Sequence, residues 1–254
     1  MSKISTLKGI LKEYKNPISI IIRHILKKKN YELIEARDGT IYFIRENSRD
    51  LNVLNEIRLE KVYHKMLTKI NNVKNVVDIG ANIGAFSIFC AKNFEDAKIY
   101  AYEPFPESSR IAKINFLANN IQHRIFIEEI AVSNSDGVRK LGIYKGQYEA
   151  NSLQNIWGKP DVVVNVKTTT LSKIIKKNKI SQIDLLKVDA EGSEYEILES
   201  INPEIFKKIN NIIIEYHRGK GTWINNKLKD NGFKVYCQES SINSGIVFGF
   251  KQKI

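Results

Sequence analysis

Three ionisable side chains alternate along LLKVDAEGSE, namely Lys187, Asp189 and Glu191, and a histidine, His217, closes a second apolar run, NIIIEYH (211–217). Carboxylates and an imidazole gathered in one place can take a proton from a hydroxyl, because their surroundings can tune both groups towards neutral pH. In an extended segment, alternation puts Lys187, Asp189 and Glu191 on one face. Burying them uncompensated is costly, so they must pair with one another or with bound molecules. His217 and Asp189 are the candidate bases, with Glu191 and Lys187 orienting them or binding acceptor hydroxyls. A divalent cation held by Asp189, Glu191 and His217 is the alternative means of activating a hydroxyl, although no metal-ligand spacing demands one. A purely structural ion-pair network is the competing explanation.

A second constellation lies upstream in VVDIGANIGAF (76–86). Consecutive Val76 and Val77 suit a strand covered on both faces, and Asp78 stands near its end. Gly80 and Gly84 then let the chain turn sharply into a helix. Their spacing is G-x-x-x-G, not the G-x-G-x-x-G of a dinucleotide turn, and a carboxylate two positions before the first glycine opposes a pyrophosphate. It suits an ammonium group, as on the amino-acid end of S-adenosylmethionine. Asp78, Gly80, Ala81, Asn82 and Gly84 are therefore the expected cradle for that portion. Glu103 ends the next apolar run, KIYAYEP, nineteen positions after Gly84, where Rossmann-like folds place the carboxylate that holds ribose hydroxyls. Pro104 stops that strand, and the backbone of Ile130 and Ala131 is expected to read adenine.

The elements that must position these residues follow from hydrophobic period and breakers. Helices are expected over about 84–93, 107–119, from 193 and near 222–230, and strands over 98–104, 124–132, 183–189, 211–219, 233–237 and 245–250. Residues 133–170 read as a strand-rich insertion with strands near 138–144 and 162–169, and its Tyr144, Tyr148 and Trp157 can stack on a sugar or fill a core. Before the sheet, Asp38-Gly39 predicts a hairpin within 31–47, and 51–70 has a helical pattern. We therefore divide the chain into an N-terminal helical and hairpin extension, 1–70, and a main domain, 71–254.

Composition sets the outer bounds. With 254 residues, 43% of them apolar, one substantial core is expected. The net charge of +12 invites anionic partners, but the excess lysines are scattered, and no RNA-binding module or aromatic and basic repeat is present. Nucleic acid is thus the disfavoured partner. Cys90 and Cys237 stand far apart in apolar runs and are expected to be reduced and buried, with no metal spacing. No stretch reaches the roughly eighteen apolar residues of a membrane span, so a cytoplasmic protein is expected. Residues 1–29 carry eight Lys or Arg against one acid, Glu13, with Ile4, Leu7 and Leu11 at helical spacing. Such a segment can lie on an anionic membrane or simply pack on the domain. The sequence sets no oligomeric state.

VVDIGANIGAF, AYEP, EIAVSNSDG, LLKVDAEGSEYEIL and IIIEYH together, in this order, resemble the FkbM family of S-adenosylmethionine-dependent methyltransferases over roughly residues 55–220. The resemblance implies the class I methyltransferase fold, a Rossmann-like α/β arrangement with a seven-stranded, mostly parallel sheet flanked by helices. It also implies O-methylation of a hydroxyl, here read as one on a sugar, glycan or glycolipid acceptor. RNA methylation and a non-catalytic cofactor-binding module are the alternatives.

Overall fold

The computed structural model describes residues 3–26, 31–59, 63–68, 70–241 and 243–251. Two short helices, α1 (Lys3–Glu13) and α2 (Pro17–Leu26), part at Pro17 as expected. The hairpin follows, with β1 (Tyr31–Glu35) antiparallel to β2 (Ile41–Arg45). The 51–70 region is not one helix: α3 (Asp50–Arg58) ends early and α4 (His64–Leu67) is a separate turn, with 60–62 and 69 outside the described residues. Lys27, Lys28 and Lys29 of the basic segment also lie outside them.

Strand and helix then alternate through β3 (Asn75–Ile79), α5 (Ala85–Asn93), β4 (Lys98–Tyr102), α6 (Pro106–Ala118) and β5 (Ile125–Glu128). The apolar run expected as one strand over 124–132 divides. β5 stays in the main sheet, while β6 (Ala131–Val132) leaves to pair with β8 (Val162–Thr169), itself antiparallel to β7 (Gly137–Ile143). A continuous apolar run carries no mark of such a change of sheet, because both halves are buried. Next come α7 (Leu171–Lys177), β9 (Leu185–Val188), α8 (Glu194–Ser200), α9 (Pro203–Lys207) and β10 (Asn211–Tyr216). The chain closes with α10 (Gly221–Asp230), β11 (Lys234–Ser241) and β12 (Ser244–Phe250).

Seven strands form the main sheet in the order β11-β12-β10-β9-β3-β4-β5. The five from β10 to β5 run parallel, and β12 and β11 close the edge antiparallel. Order reverses between β3 and β9, which opens a crevice at the carboxyl ends of the strands. Alternation along β3 sends Val76 into the apolar cluster on one face and Val77 and Ile79 into that on the other. β9 does the same with Leu185 and Leu186, and the register pairs Asp78 with Lys187 across the two strands.

The extension does not stand apart from the sheet. Tyr14, Ile34, Tyr42 and Leu54 share a core with Val76, Ile88 and Phe116. Two asparagines about one helical turn apart, Asn115 on α6 and Asn119 at its C-cap, fix the hairpin: each donates to and accepts from the backbone of β2, at Phe43 and Ile41. This covers the strand edge that β2 would otherwise leave unpaired. Cys90 is buried as expected, but Cys237 is exposed on β11. Among the described residues no helix is long and apolar enough to cross a membrane.

Candidate active site

A cavity of about 310 Å³ opens at the carboxyl ends of the central strands. Of the residues expected to bind a cofactor, Gly80, Ala81, Asn82, Glu103, Pro104 and Ala131 line it; Asp78, Gly84 and Ile130 do not. Asp78 is wholly buried, accepting a 2.6 Å hydrogen bond from the Ser87 hydroxyl and lying 3.5 Å from the Lys187 ammonium. Lys187 reaches the cavity wall in its place. The direct grip on an ammonium expected of Asp78 is therefore not available in this geometry. Its neighbour Lys187, buried between Asp78 and Asp189, also donates to the Gly80 carbonyl at 2.8 Å, tying the glycine turn to β9. Burial opposes the Lys187 charge, but Asp189 and Asp78 outweigh it and hold the amine well above its ordinary range. Gly84 has φ +81 at the start of α5, close to the Phe116 ring, and Ile130 packs on the second apolar cluster.

Glu103 is buried at the end of β4 and turned towards the cavity. Its oxygens accept backbone N–H groups of Asn82 at 2.8 Å and Phe105 at 2.9 Å, one each. Each oxygen keeps a lone pair for a further donor, a match to a vicinal diol. Ala131, Val132 and Leu141 supply an apolar wall beside it, suited to a purine face. The residues present thus fit a nucleoside bearing a free ribose.

The second constellation converges on the same cavity, though not by alternation. β9 ends at Val188, and Glu191 takes a left-handed φ of +48 in the turn that follows, so no extended segment carries Lys187, Asp189 and Glu191 on one face. The turn and β10 instead bring Asp189, Glu191 and His217 together, with one ligand-type atom from each within 4.8 Å of the others. Glu191 accepts from the Trp157 indole at 2.8 Å. His217 Nε2 lies 3.3 Å from Glu191, and Nδ1 lies 3.2 Å from Glu194. Burial lowers the histidine's pKa, but the Glu194 hydrogen bond and the charges of Glu191, Glu194 and Asp189 prevail and push it up to about 10. His217 accordingly carries a proton at neutral pH with nothing else bound. A base role for His217 therefore requires that this proton first be displaced.

Several residues on or behind this wall had no place in the motif-based assignment. Glu194 starts α8 and is wholly buried, accepting from Ala190 and Gly192 N–H as well as facing His217. Its only sequence signal was an acid in a first helical turn. Glu215 lines the cavity, and burial with the nearby charges of Asp189 and Glu56 pushes its carboxyl up to about 8. Arg49, Asn52, Glu56 and Tyr63 reach the cavity from the extension. Arg45 ends β2 in a buried pair with Asp50 at 2.8 Å, its guanidinium 4.1 Å from the Tyr148 ring centre.

Residues 78–235 match the methyltransferase FkbM domain. The chain belongs to this family. The methyltransferase is 27% identical to the methyltransferase sdnD of Sordaria araneosa, over 80% of this chain and 89% of that one. It is 25% identical to 31-O-demethyl-FK506 methyltransferase FkbM of Streptomyces tacrolimicus, over 75% and 84%. It also resembles the hexuronic acid methyltransferase AglP of Haloferax volcanii at 22% identity, over 56% and 55%. S-adenosylmethionine is its cofactor.

Cofactor binding is expected to depend on pH through Glu103. Burial pushes its carboxyl up to about 7, against the Phe105 and Asn82 N–H groups and the charges of Arg45 and Lys187. Only the carboxylate accepts from both ribose hydroxyls. Affinity for S-adenosylhomocysteine is thus expected to weaken as pH falls below about 7, approaching tenfold per pH unit. Glu103→Ala should cost about 1–3 kcal/mol of binding at pH 8 and flatten the profile. Calorimetric titration across pH measures both, and a flat wild-type profile would remove Glu103 from the ribose.

Proposed function

We propose that this methyltransferase moves the methyl group of S-adenosylmethionine onto a hydroxyl oxygen of a sugar, glycan or glycolipid. The observation that carries this is the meeting of Asp189, Glu191 and His217 at a cavity that also holds Trp157, half-exposed with its ring edge-on to His217 at 5.7 Å. Carboxylates accept hydrogen bonds from neighbouring hydroxyls, and an indole face covers the C–H side of a sugar ring. The names of two relatives, an O-demethyl substrate in one and hexuronic acid in the other, agree with a hydroxyl acceptor.

The cofactor supplies a methyl carbon made electrophilic by a positive sulfur. Glu103 and the Gly80–Asn82 turn hold its nucleoside and amino-acid ends on one side of the crevice. Asp189, Glu191 and Glu215 stand around the acceptor's side. The acceptor oxygen forms the new bond to carbon, the carbon–sulfur electrons stay on sulfur, and the hydroxyl proton passes to one of these carboxylates. Lys187 and His217 keep the carboxylates paired and fixed, so that positioning is the main contribution to rate.

RNA is disfavoured by the same wall, because Glu56, Asp189, Glu191 and Glu215 at the cavity oppose a phosphate backbone. We assign the basic first segment to peripheral contact with an anionic membrane: Leu7, Leu11, Ile18 and Ile22 are exposed on α1 and α2 beside Lys8 and Lys12. With methyl-labelled cofactor offered cell-envelope carbohydrate and total RNA separately, label is expected in the carbohydrate. Label in RNA alone would reverse the assignment.

A further inference from the structure

The histidine and two carboxylates at the acceptor side have the arrangement of a cation site. His217 Nδ1 faces Glu194, whose carboxylate already accepts the backbone N–H groups of Ala190 and Gly192, so Glu194 is the acceptor and the imidazole the donor. That fixes the tautomer and directs Nε2 at the cavity, the carboxylate–histidine support that metal-ligating imidazoles use. Asp189 gives one oxygen to Lys187 at 3.1 Å, while its Oδ1 is buried without a hydrogen-bond partner. Glu191 brings an oxygen 3.3 Å from His217 Nε2.

An octahedral ion with bonds of about 2.1 Å spaces adjacent ligand atoms about 3 Å apart and opposite ones about 4.2 Å. The three donors, all within 4.8 Å of one another, need to close by up to about 1.8 Å to take adjacent positions and by up to about 0.6 Å to take opposite ones. Charge points the same way: Asp189, Glu191 and Glu194 stand around Lys187 and His217, with Glu215 on the same cavity wall.

We propose that Asp189, Glu191 and His217 bind one divalent cation, with Glu194 holding the histidine, and that the cation's open positions take the acceptor's oxygens. Two carboxylate oxygens and one imidazole favour manganese, with magnesium as the weaker ligand partner. The inference rests on the O-methylation reading for its role but not for its test. An acceptor hydroxyl on the ion becomes more acidic, and Glu215, outside the ligand set, receives its proton.

Manganese alone, titrated into chelator-treated enzyme and followed by electron paramagnetic resonance, is expected to bind once per chain. Asp189→Asn and Glu191→Gln should abolish that binding, and Glu194→Gln, which leaves all three ligands in place, should weaken it about 10- to 100-fold. Retained S-adenosylhomocysteine binding by each variant shows that it is folded. Absence of a bound ion at millimolar manganese, or equal binding by wild type and both ligand variants, overturns the site. Methyl transfer is expected to stop in chelator and return with manganese; undiminished transfer in chelator overturns the role assigned to the ion while leaving the acceptor class as it stands. Because binding is read without any acceptor, a wrong acceptor class leaves the titration unchanged.

Discussion

His217→Ala is expected to lower turnover by about 10²- to 10⁴-fold, the range for losing a group that handles the transferred proton or fixes the one that does. The imidazole stands between Glu191 and Glu194 and is nearly buried. Its removal takes away the group that stands between these two carboxylates, and Glu191 moves off the position it holds against Trp157. Cofactor affinity should change only a few-fold, because Glu103 and the glycine turn lie on other strands. Single-turnover rates with saturating cofactor separate these effects, and a melting curve is needed beside them, since breaking a buried ion pair costs about 3–5 kcal/mol. Turnover within threefold of wild type, in a folded variant, would return Asp189, Glu191 and His217 to a structural network.

Gly80→Ala is expected to be the most damaging single substitution for the fold. Gly80 has φ +78, and a Cβ there would stand 1.7 Å from the carbonyl oxygen of Asp189 and 2.9 Å from its carbonyl carbon. Both are backbone atoms of the neighbouring strand end, so nothing flexible can give way. The loops after β3 and β9 would have to separate, breaking the Lys187 hydrogen bond to Gly80 and displacing Asp189. A loss beyond about 4 kcal/mol is expected, a melting temperature lower by roughly 8 °C or more. Gly39 is the comparison: its φ is +81, yet nothing lies within 4 Å of the site of its Cβ. Gly39→Ala should cost only the left-handed backbone, about 1–2 kcal/mol. Similar melting of the two variants would show that the close approach at Gly80 does not matter.

The sequence alone determined the central sheet and the class of chemistry. β-branched runs ending in a glycine turn at Gly80 and Gly84, an acid at Glu103 and a second acidic cluster after β9 are local patterns, each imposed by the backbone of a few adjacent residues. They survive in the linear chain, and the family resemblance they carry implied the seven-stranded, mostly parallel sheet. Tertiary structure decided the rest. Asp78 looked like a ligand residue because it ends a central strand, but its cross-strand partner, Lys187, is set by register between segments more than a hundred residues apart, and that pairing withdraws it from the cavity. His217 looked like a base because an isolated imidazole titrates near neutrality; burial among Glu191, Glu194 and Asp189 reverses this, and no short stretch of sequence contains all four. Nor could the motifs show that α3 and the turn before it wall the cavity. Arg49 and Glu56 line it on the segment that follows β2, and β2 is bound to the end of α6 by Asn115 and Asn119, a contact between segments about seventy residues apart that leaves no periodic trace.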